Sequence, residues 1–148
     1  MSNKNSLRSG FDLGGKKLLI VDDDPVNRMI MKSMFNKWQN TFFDFAINGL
    51  EALDKLQKCC FDLIVMDLQM PLLSGFETAE AIREGRCGAI YNQIPIIAMT
   101  AHICESDKNQ ASNVNSILTK PLTDETLYQA INSCFSLNPN LDSISTPF

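Results

Sequence analysis

The sequence holds one histidine, one tryptophan and no apolar run longer than four residues. Each scarcity excludes something. A single histidine rules out a His-rich metal centre. Runs of four, such as Leu18–Val21 and Leu63–Met66, fall far short of the roughly 20 residues a spanning helix needs, so no direct membrane insertion is expected. Met1–Gly15 is polar and Gly-punctuated, with no apolar centre, and does not read as a signal peptide. Basic residues are too few for nucleic-acid binding. There are 13 Lys+Arg against 17 Asp+Glu, a net charge of −4, whereas phosphate neutralisation needs a basic surplus. The five cysteines, Cys59, Cys60, Cys87, Cys104 and Cys134, are odd in number and never spaced C-x-x-C. They read as reduced thiols of a cytoplasmic chain, not as a disulfide framework or a zinc site.

What is present is ordinary for a globular protein: 148 residues, 45% apolar and 20% charged. That length is one domain's worth and can bury about 68–70% of its unfolded surface, so a core forms without staples. A domain filling most of the chain leaves no room for a second beside it. Residues 1–15 read as a linker and the Asn/Ser/Pro-rich residues 138–148 as a tail, which leaves a body of 16–137.

Short apolar runs alternate with amphipathic stretches through this body. Leu18–Val21, Phe42–Ile47, Leu63–Met66, Ile94–Met99 and Ile117–Leu118 read as strands. Asp24-Pro25 is an N-cap type followed by Pro at the first helical position, and Met29, Ile30, Phe35 and Trp38 recur behind it at near-helical spacing. Asn48-Gly49-Leu50-Glu51 and Ser74-Gly75-Phe76-Glu77 have the capping-box pattern. The first opens a helix with Leu50, Leu53 and Leu56 on one face, the second a helix over Phe76–Glu84. Thr123-Asp124-Glu125 starts a last helix carrying Leu127, Ala130, Ile131, Cys134 and Phe135 at helical spacing. Strand–helix alternation implies an α/β fold, a doubly wound parallel sheet with helices on both faces, and in such sheets the site lies beyond the carboxyl ends of the strands.

Those ends carry the chemistry. Strand one ends in Asp22-Asp23-Asp24, strand three in Asp67, strand four in Thr100 and strand five in Lys120-Pro121. Each has a bland reading alone: a helix cap, a strand-end turn, a strand hydroxyl, a surface charge. Jointly and in order, each closing a different strand, they converge on one edge. Carboxylates about 4 Å apart repel by roughly 4 kcal/mol at an effective dielectric of 20. A divalent cation relieves that, and an all-oxygen donor set in phosphate chemistry selects Mg²⁺. A lysine adds a point charge for an anion and a threonine one hydrogen bond. Together they describe a phosphoryl-transfer site with a carboxylate nucleophile.

Leu18–Arg28, Val65–Pro71 with Ser74–Glu77, Pro95–His102 and Leu118–Leu122 together resemble a receiver domain of two-component signalling, over about 16–137. The wording Asp24-Pro25-Val26-Asn27-Arg28 and Asp67-Leu68-Gln69-Met70-Pro71 is most similar to receivers of hybrid sensor histidine kinases. Phe11–Lys17 resembles the linker entering one, which suggests a domain of a longer protein. The resemblance implies a flavodoxin-like five-stranded parallel sheet of order 2-1-3-4-5. It implies that Asp67 accepts a phosphoryl group from a phosphohistidine of a histidine kinase or histidine phosphotransfer protein. Mg²⁺ would be held by Asp23, Asp67 and the backbone carbonyl of Gln69, with Asp22 acting through water. Lys120 would pair with the phosphoryl oxygens, and Thr100 and Ala101 would bind and switch around the phosphoryl group. In the family the Lys–Pro bond is usually cis, which Lys120-Pro121 permits. No separate kinase or output activity is expected in this chain; such domains catalyse their own aspartyl phosphorylation and dephosphorylation. Location would be cytoplasmic, free or tethered through a parent sensor kinase, with weak self-association through the face of the fourth helix, fifth strand and fifth helix.

The pattern is departed from in three places. Ile117 stands where an aromatic switch residue is common. The stretch from Thr100 to Lys120 is about two residues short, with Asn113 in place of a common Gly, so an abbreviated or distorted fourth helix or following loop is expected. Gln69 and His102 occupy the positions that tune phosphoryl lifetime. One enzyme alternative exists. Asp22-Asp23-Asp24-Pro25-Val26 fits the D-x-D-x-[TV] pattern of haloacid-dehalogenase-type phosphohydrolases, with Asp22 as nucleophile and Asp24 as acid/base. That family needs a further acidic motif after its lysine, where only Asp124, Glu125 and Asp142 follow, and it leaves Asp67 without a role. A receiver acting without phosphorylation is disfavoured by the intact set Asp22, Asp23, Asp67, Thr100 and Lys120.

Overall fold

A computed structural model of the chain describes residues 10–105, 107 and 111–136. Its elements in order are β1 (Asp12–Val21), α1 (Pro25–Asn36), β2 (Gln39–Ala46), α2 (Gly49–Lys58), β3 (Leu63–Asp67), α3 (Gly75–Arg83), a 3-10 turn (Ala89–Tyr91), β4 (Ile96–Thr100), a second 3-10 turn (Ala111–Asn113), β5 (Ser116–Thr119) and α4 (Asp124–Ser136). The strands form one parallel sheet of order β2-β1-β3-β4-β5, the flavodoxin-like order expected. Chain order reverses at β1 and β3, which opens a crevice at their carboxyl ends.

Continuous apolar runs become strands because both sheet faces are covered. Alternate side chains serve opposite cores. Leu19, Val21, Ile64, Met66 and Ile96 meet Ala52 and Leu56 of α2 and Ala79 and Ile82 of α3. Leu18, Ile20, Leu63, Val65, Ile97 and Met99 meet Met31, Met34 and Phe35 of α1 and Leu127 and Ile131 of α4. The strands β3 and β4 are buried along their whole length.

Several boundaries and faces differ from the sequence expectations. The first strand begins at Asp12, inside the stretch read as linker, and the buried side chain of Leu13 joins the α1/α4 core. The second strand begins at Gln39 and ends at Ala46; Ile47 instead donates its N–H to Glu51 Oε1 at 2.7 Å. The fourth begins after Pro95, which lacks the N–H to continue a ladder. On α1 the buried face is Met31, Met34 and Phe35, while Met29 and Ile30 are exposed. Leu50 is likewise exposed on α2, where Ala52 and Leu56 are buried. The Ser74 capping box forms in both directions, with Glu77 N–H to Ser74 Oγ at 3.1 Å and Ser74 N–H to Glu77 Oε1 at 2.9 Å. In the other, Asn48 Oδ1 accepts the Glu51 N–H at 2.8 Å, but Glu51 reaches Ile47.

Residues 138–148 and most of the linker reading lie outside the described residues, as do residues 106 and 108–110 of the segment between β4 and β5, where the sequence predicts an abbreviated or distorted helix. Asn113 closes the second 3-10 turn, and its carbonyl accepts from Arg83 Nε at 3.0 Å. Among the described residues, no helix is long and apolar enough to cross a membrane.

Candidate functional site

Parallel strands held in register bring their carboxyl ends to one edge. That edge collects Asp22 and Asp23 just after β1, Asp67 as the last residue of β3, Thr100 as the last of β4 and Lys120 just after β5. Carboxylate oxygens of Asp22, Asp23 and Asp67 lie within 4.8 Å of one another. The Lys120 ammonium reaches into the group, 3.2 Å from Asp67 Oδ2 and 3.8 Å from Asp22 Oδ2. Asp22 and Asp67 are buried, whereas Asp23 is exposed. The three carboxylates and the lysine predicted from the strand ends therefore do meet.

One of these groups is under electrostatic stress. Asp22 Oδ1 accepts the Asp24 N–H at 2.9 Å, but its Oδ2 is buried without a hydrogen-bond partner. Burial pushes the Asp22 carboxyl above its ordinary value, and the Asp67 charge adds to the rise, while the Asp24 N–H, Lys120 and Asn27 oppose it. An orphaned buried carboxylate oxygen amid an all-oxygen donor set is the chemistry of a hard divalent cation. Asp22, Asp23 and Asp67 thus fit Mg²⁺.

Two opposite consequences follow for Asp22. Because its folded-state value is raised, the metal-free fold takes up this proton before the unfolded chain does. Its stabilising contribution is present below the ordinary aspartate value and is lost as pH rises through the raised one. Cation binding needs the ionised form and weakens as pH falls through that same raised value. Asp22→Asn is accordingly expected to raise metal-free stability near neutral pH by about 1–3 kcal/mol, because the amide carries no buried charge to desolvate and none to repel Asp67. It should also weaken Mg²⁺ affinity by about 10–100-fold. Urea melts with and without Mg²⁺ measure both, and a variant less stable than wild type without metal would contradict the first.

The Asp67 backbone is clamped from the side. Gly75, the first residue of α3, donates its N–H to Leu68 O at 3.1 Å. A Cβ at Gly75 would lie 2.5 Å from the Asp67 carbonyl oxygen and 2.8 Å from Leu68 Cα, so only glycine allows this approach. The Gln69 N–H donates to Asp67 Oδ1 at 3.1 Å, which fixes that carboxylate's rotation.

The remaining predicted residues take varied positions. Thr100 is buried, and its hydroxyl donates to the His102 carbonyl at 3.0 Å; its own carbonyl accepts the Lys120 N–H at 2.8 Å. Ala101 and His102 are exposed. Ile117 is half-buried and packs with Leu68, Phe76 and Ala98, aliphatic where an aromatic is common. The Lys120–Pro121 bond is cis. Asp24 is used as the α1 N-cap, accepting the Val26 N–H at 2.9 Å, and so is not free to act as the acid/base of the phosphohydrolase alternative. No finding supports that alternative.

Three contributors went unassigned in the sequence reading. Arg28 Nη1 donates to the Asp22 carbonyl at 2.8 Å. Asn27 and Asp22 both line a cavity of about 300 Å³ whose walls include Met31, Met34, Met99 and Pro121. Gly75 is the third. Arg28 lies four residues after Asp24, one helical turn on, and that spacing was the available signal.

Comparison with known proteins agrees with this geometry. The family model described as response regulator receiver domain matches residues 18–132. Hybrid signal transduction histidine kinase I of Dictyostelium discoideum is 35% identical over 147 residues, covering 90% of this chain but only 8% of that protein. The chain thus spans a small fraction of such relatives. Among solved structures, the receiver domain of a sensor histidine kinase from Pseudomonas aeruginosa PAO1, with a magnesium ion coordinated in its active-site cleft, superposes with a TM-score of 0.70. It is 26% identical, over 80% of this chain and 96% of that one. The response regulator TrrA of Thermotoga maritima, in complex with Mg²⁺-BeF, also gives 0.70, at 28% identity over 80% of this chain and 97% of that one.

Proposed function

The chain belongs to the response regulator receiver domain family, and from that premise we propose that Asp67 is its phosphoacceptor. The observation that carries the reading is the Lys120 ammonium 3.2 Å from Asp67 Oδ2 with two further carboxylates gathered beside it. A carboxylate oxygen of Asp67 attacks phosphorus in line, forming an O–P bond as the P–N bond of a phosphohistidine breaks. The bonding pair leaves with the imidazole nitrogen, which takes its proton from solvent. Lys120 moves onto the phosphoryl oxygens and neutralises them. Asp22 and Asp23, with Asp67 and the Gln69 carbonyl, are the groups that would hold Mg²⁺, which when bound offsets the carboxylate repulsion and the charge on the transferring group. Thr100, with Ala101 next to it, would exchange its His102 bond for one to the phosphoryl group, and the exposed His102 and Gln69, two residues past Thr100 and Asp67, are the candidates for setting phosphoryl lifetime. Two conformers differing in that bond make a switch whose populations phosphorylation shifts.

Incubation with phosphoramidate and Mg²⁺ tests the reading: intact mass should show one added phosphoryl group, and none in the presence of a chelator. No addition under either condition would refute it.

The donor is proposed to be a histidine kinase or histidine phosphotransfer protein, acting in the cytoplasm or beneath a membrane-tethered kinase. Support comes from α1, where Val26, Met29 and Ile30 lie exposed beside the site, an apolar surface suited to a helical partner. Met29→Glu is expected to slow transfer from such a protein donor by about tenfold or more, through loss of a central apolar contact. Labelling by phosphoramidate should be unchanged. Equal slowing with both donors would argue against a docking role. Self-association through β5, α4 and the segment between β4 and β5 belongs to the same proposal.

A further inference from the structure

Ahead of β1's main run, the chain is tied down at one spot by several independent contacts. Asp12 pairs with Gln39 but Lys16 with Thr41, a bulge made by Gly14 and Gly15 at φ 64° and 92°. The Phe11 ring stacks on Tyr128 of α4, with centroids 4.6 Å apart, and stands edge-on to Trp38 at 5.5 Å. The Gln39 N–H donates to Phe11 O at 2.8 Å, the Tyr128 hydroxyl to Asp12 O at 3.1 Å and Asn40 Nδ2 to Asp12 Oδ2 at 2.9 Å.

These contacts lead back to the site. Trp38 is buried, packs edge-on against Phe35 and Tyr128, and donates its indole N–H to Asp124 Oδ1 at 3.1 Å. Asp124 opens α4, four residues after Lys120, and Leu122 between them packs on the same core. The Lys120 ammonium rests on Asp67 Oδ2. On the reading of Asp67 as acceptor, it must leave that oxygen for the new phosphoryl oxygens, dragging the start of α4 against whatever holds it. What holds it is Trp38 and the aromatic stack behind.

We infer that Phe11–Gly15 is a clasp coupled through Trp38, Asp124 and the segment back to Lys120 to the occupancy of Asp67, closed when the acceptor is empty and loosened when it is loaded. The inference rests on the phosphoacceptor reading. The clasp lies at the start of the described residues, so its state sets how firmly the start of β1 is held to β2 and α4. Coupling of this kind is reciprocal: if loading loosens the clasp, the closed clasp opposes loading by the same factor, and removing it favours loading.

The test titrates the full chain with beryllofluoride and Mg²⁺ as a stand-in for the phosphoryl group. Trp38 emission and hydrogen exchange at the Gln39 amide, which bonds to Phe11, are followed. Loading is expected to speed that exchange by about fivefold or more and to shift the emission of the sole tryptophan. Phe11→Ala and Tyr128→Phe should both bind beryllofluoride more tightly, Phe11→Ala by about fivefold or more. Tyr128→Phe keeps the ring and loses only the bond to Asp12, so it decides the matter if Phe11→Ala does not fold. Unchanged Gln39 exchange on loading, together with wild-type affinity in Tyr128→Phe, would overturn the clasp and leave the acceptor reading intact. Failure of the wild type to bind beryllofluoride at all would overturn the acceptor reading, and the clasp with it.

Discussion

Asp67→Asn is expected to give a folded protein that takes up no phosphoryl group from acetyl phosphate or phosphoramidate in the presence of Mg²⁺. The amide fits the same space, and its oxygen can still accept the Gln69 N–H now received by Oδ1 at 3.1 Å. What disappears is the anionic nucleophile and its ion pair with Lys120 at 3.2 Å. A neutral amide oxygen neither attacks phosphorus competently nor makes a stable adduct. Intact mass reads the result. Retained labelling in Asp67→Asn, with loss in Asp22→Asn, would transfer the nucleophile to the end of β1 and revive the phosphohydrolase reading.

Lys120→Ala is expected to lower the labelling rate by about 10²–10³-fold, the range found when one preorganised donor to a developing charge is deleted. A general unfolding effect is separable from this. Removing the ammonium strips Asp22 and Asp67 of their ion-pair partner, and three carboxylates within 4.8 Å then depend more heavily on Mg²⁺. Mg²⁺ affinity should therefore hold or rise while labelling collapses, and added Mg²⁺ should raise the melting temperature more than in wild type. Loss of both together would mean that Lys120 only supports the fold.

The site was legible because its residues close strands buried on both faces. Leu63–Met66 and Ile96–Met99 admit few readings other than central strands, and whatever follows such a strand lies at the crevice. The faces of α1 were less legible. Val26, Met29, Ile30, Met31, Met34 and Phe35 place apolar groups around most of the helix, so periodicity cannot tell the core side from the exposed one. The exposed side flanks the candidate site, where an apolar surface has a use other than packing. The Gly14-Gly15 pair misled for a related reason: glycines at positive φ make a bulge inside a strand as readily as they loosen a linker, and only the partner strand, through Gln39 and Thr41, distinguishes the two. The Gly75 clamp leaves no sequence signal beyond a glycine after a cap, because its reason is the Asp67 carbonyl of another element.

Strand order assigns different mechanical duties to the two sides of the reaction centre. Asp67 caps β3, which has a ladder on each flank, to β1 and to β4, and Gly75 abuts its backbone. Lys120 follows β5, an edge strand of four residues with a single neighbour. The proposed acceptor is bolted to the stiffest member of the frame, while its counter-charge rides on the most compliant one. Deformation on loading should therefore travel toward β5 and α4 and spare the centre, as a machine flexes at its hinge and not at its anvil. Variants that alter signalling without altering acceptor chemistry should cluster on that compliant side.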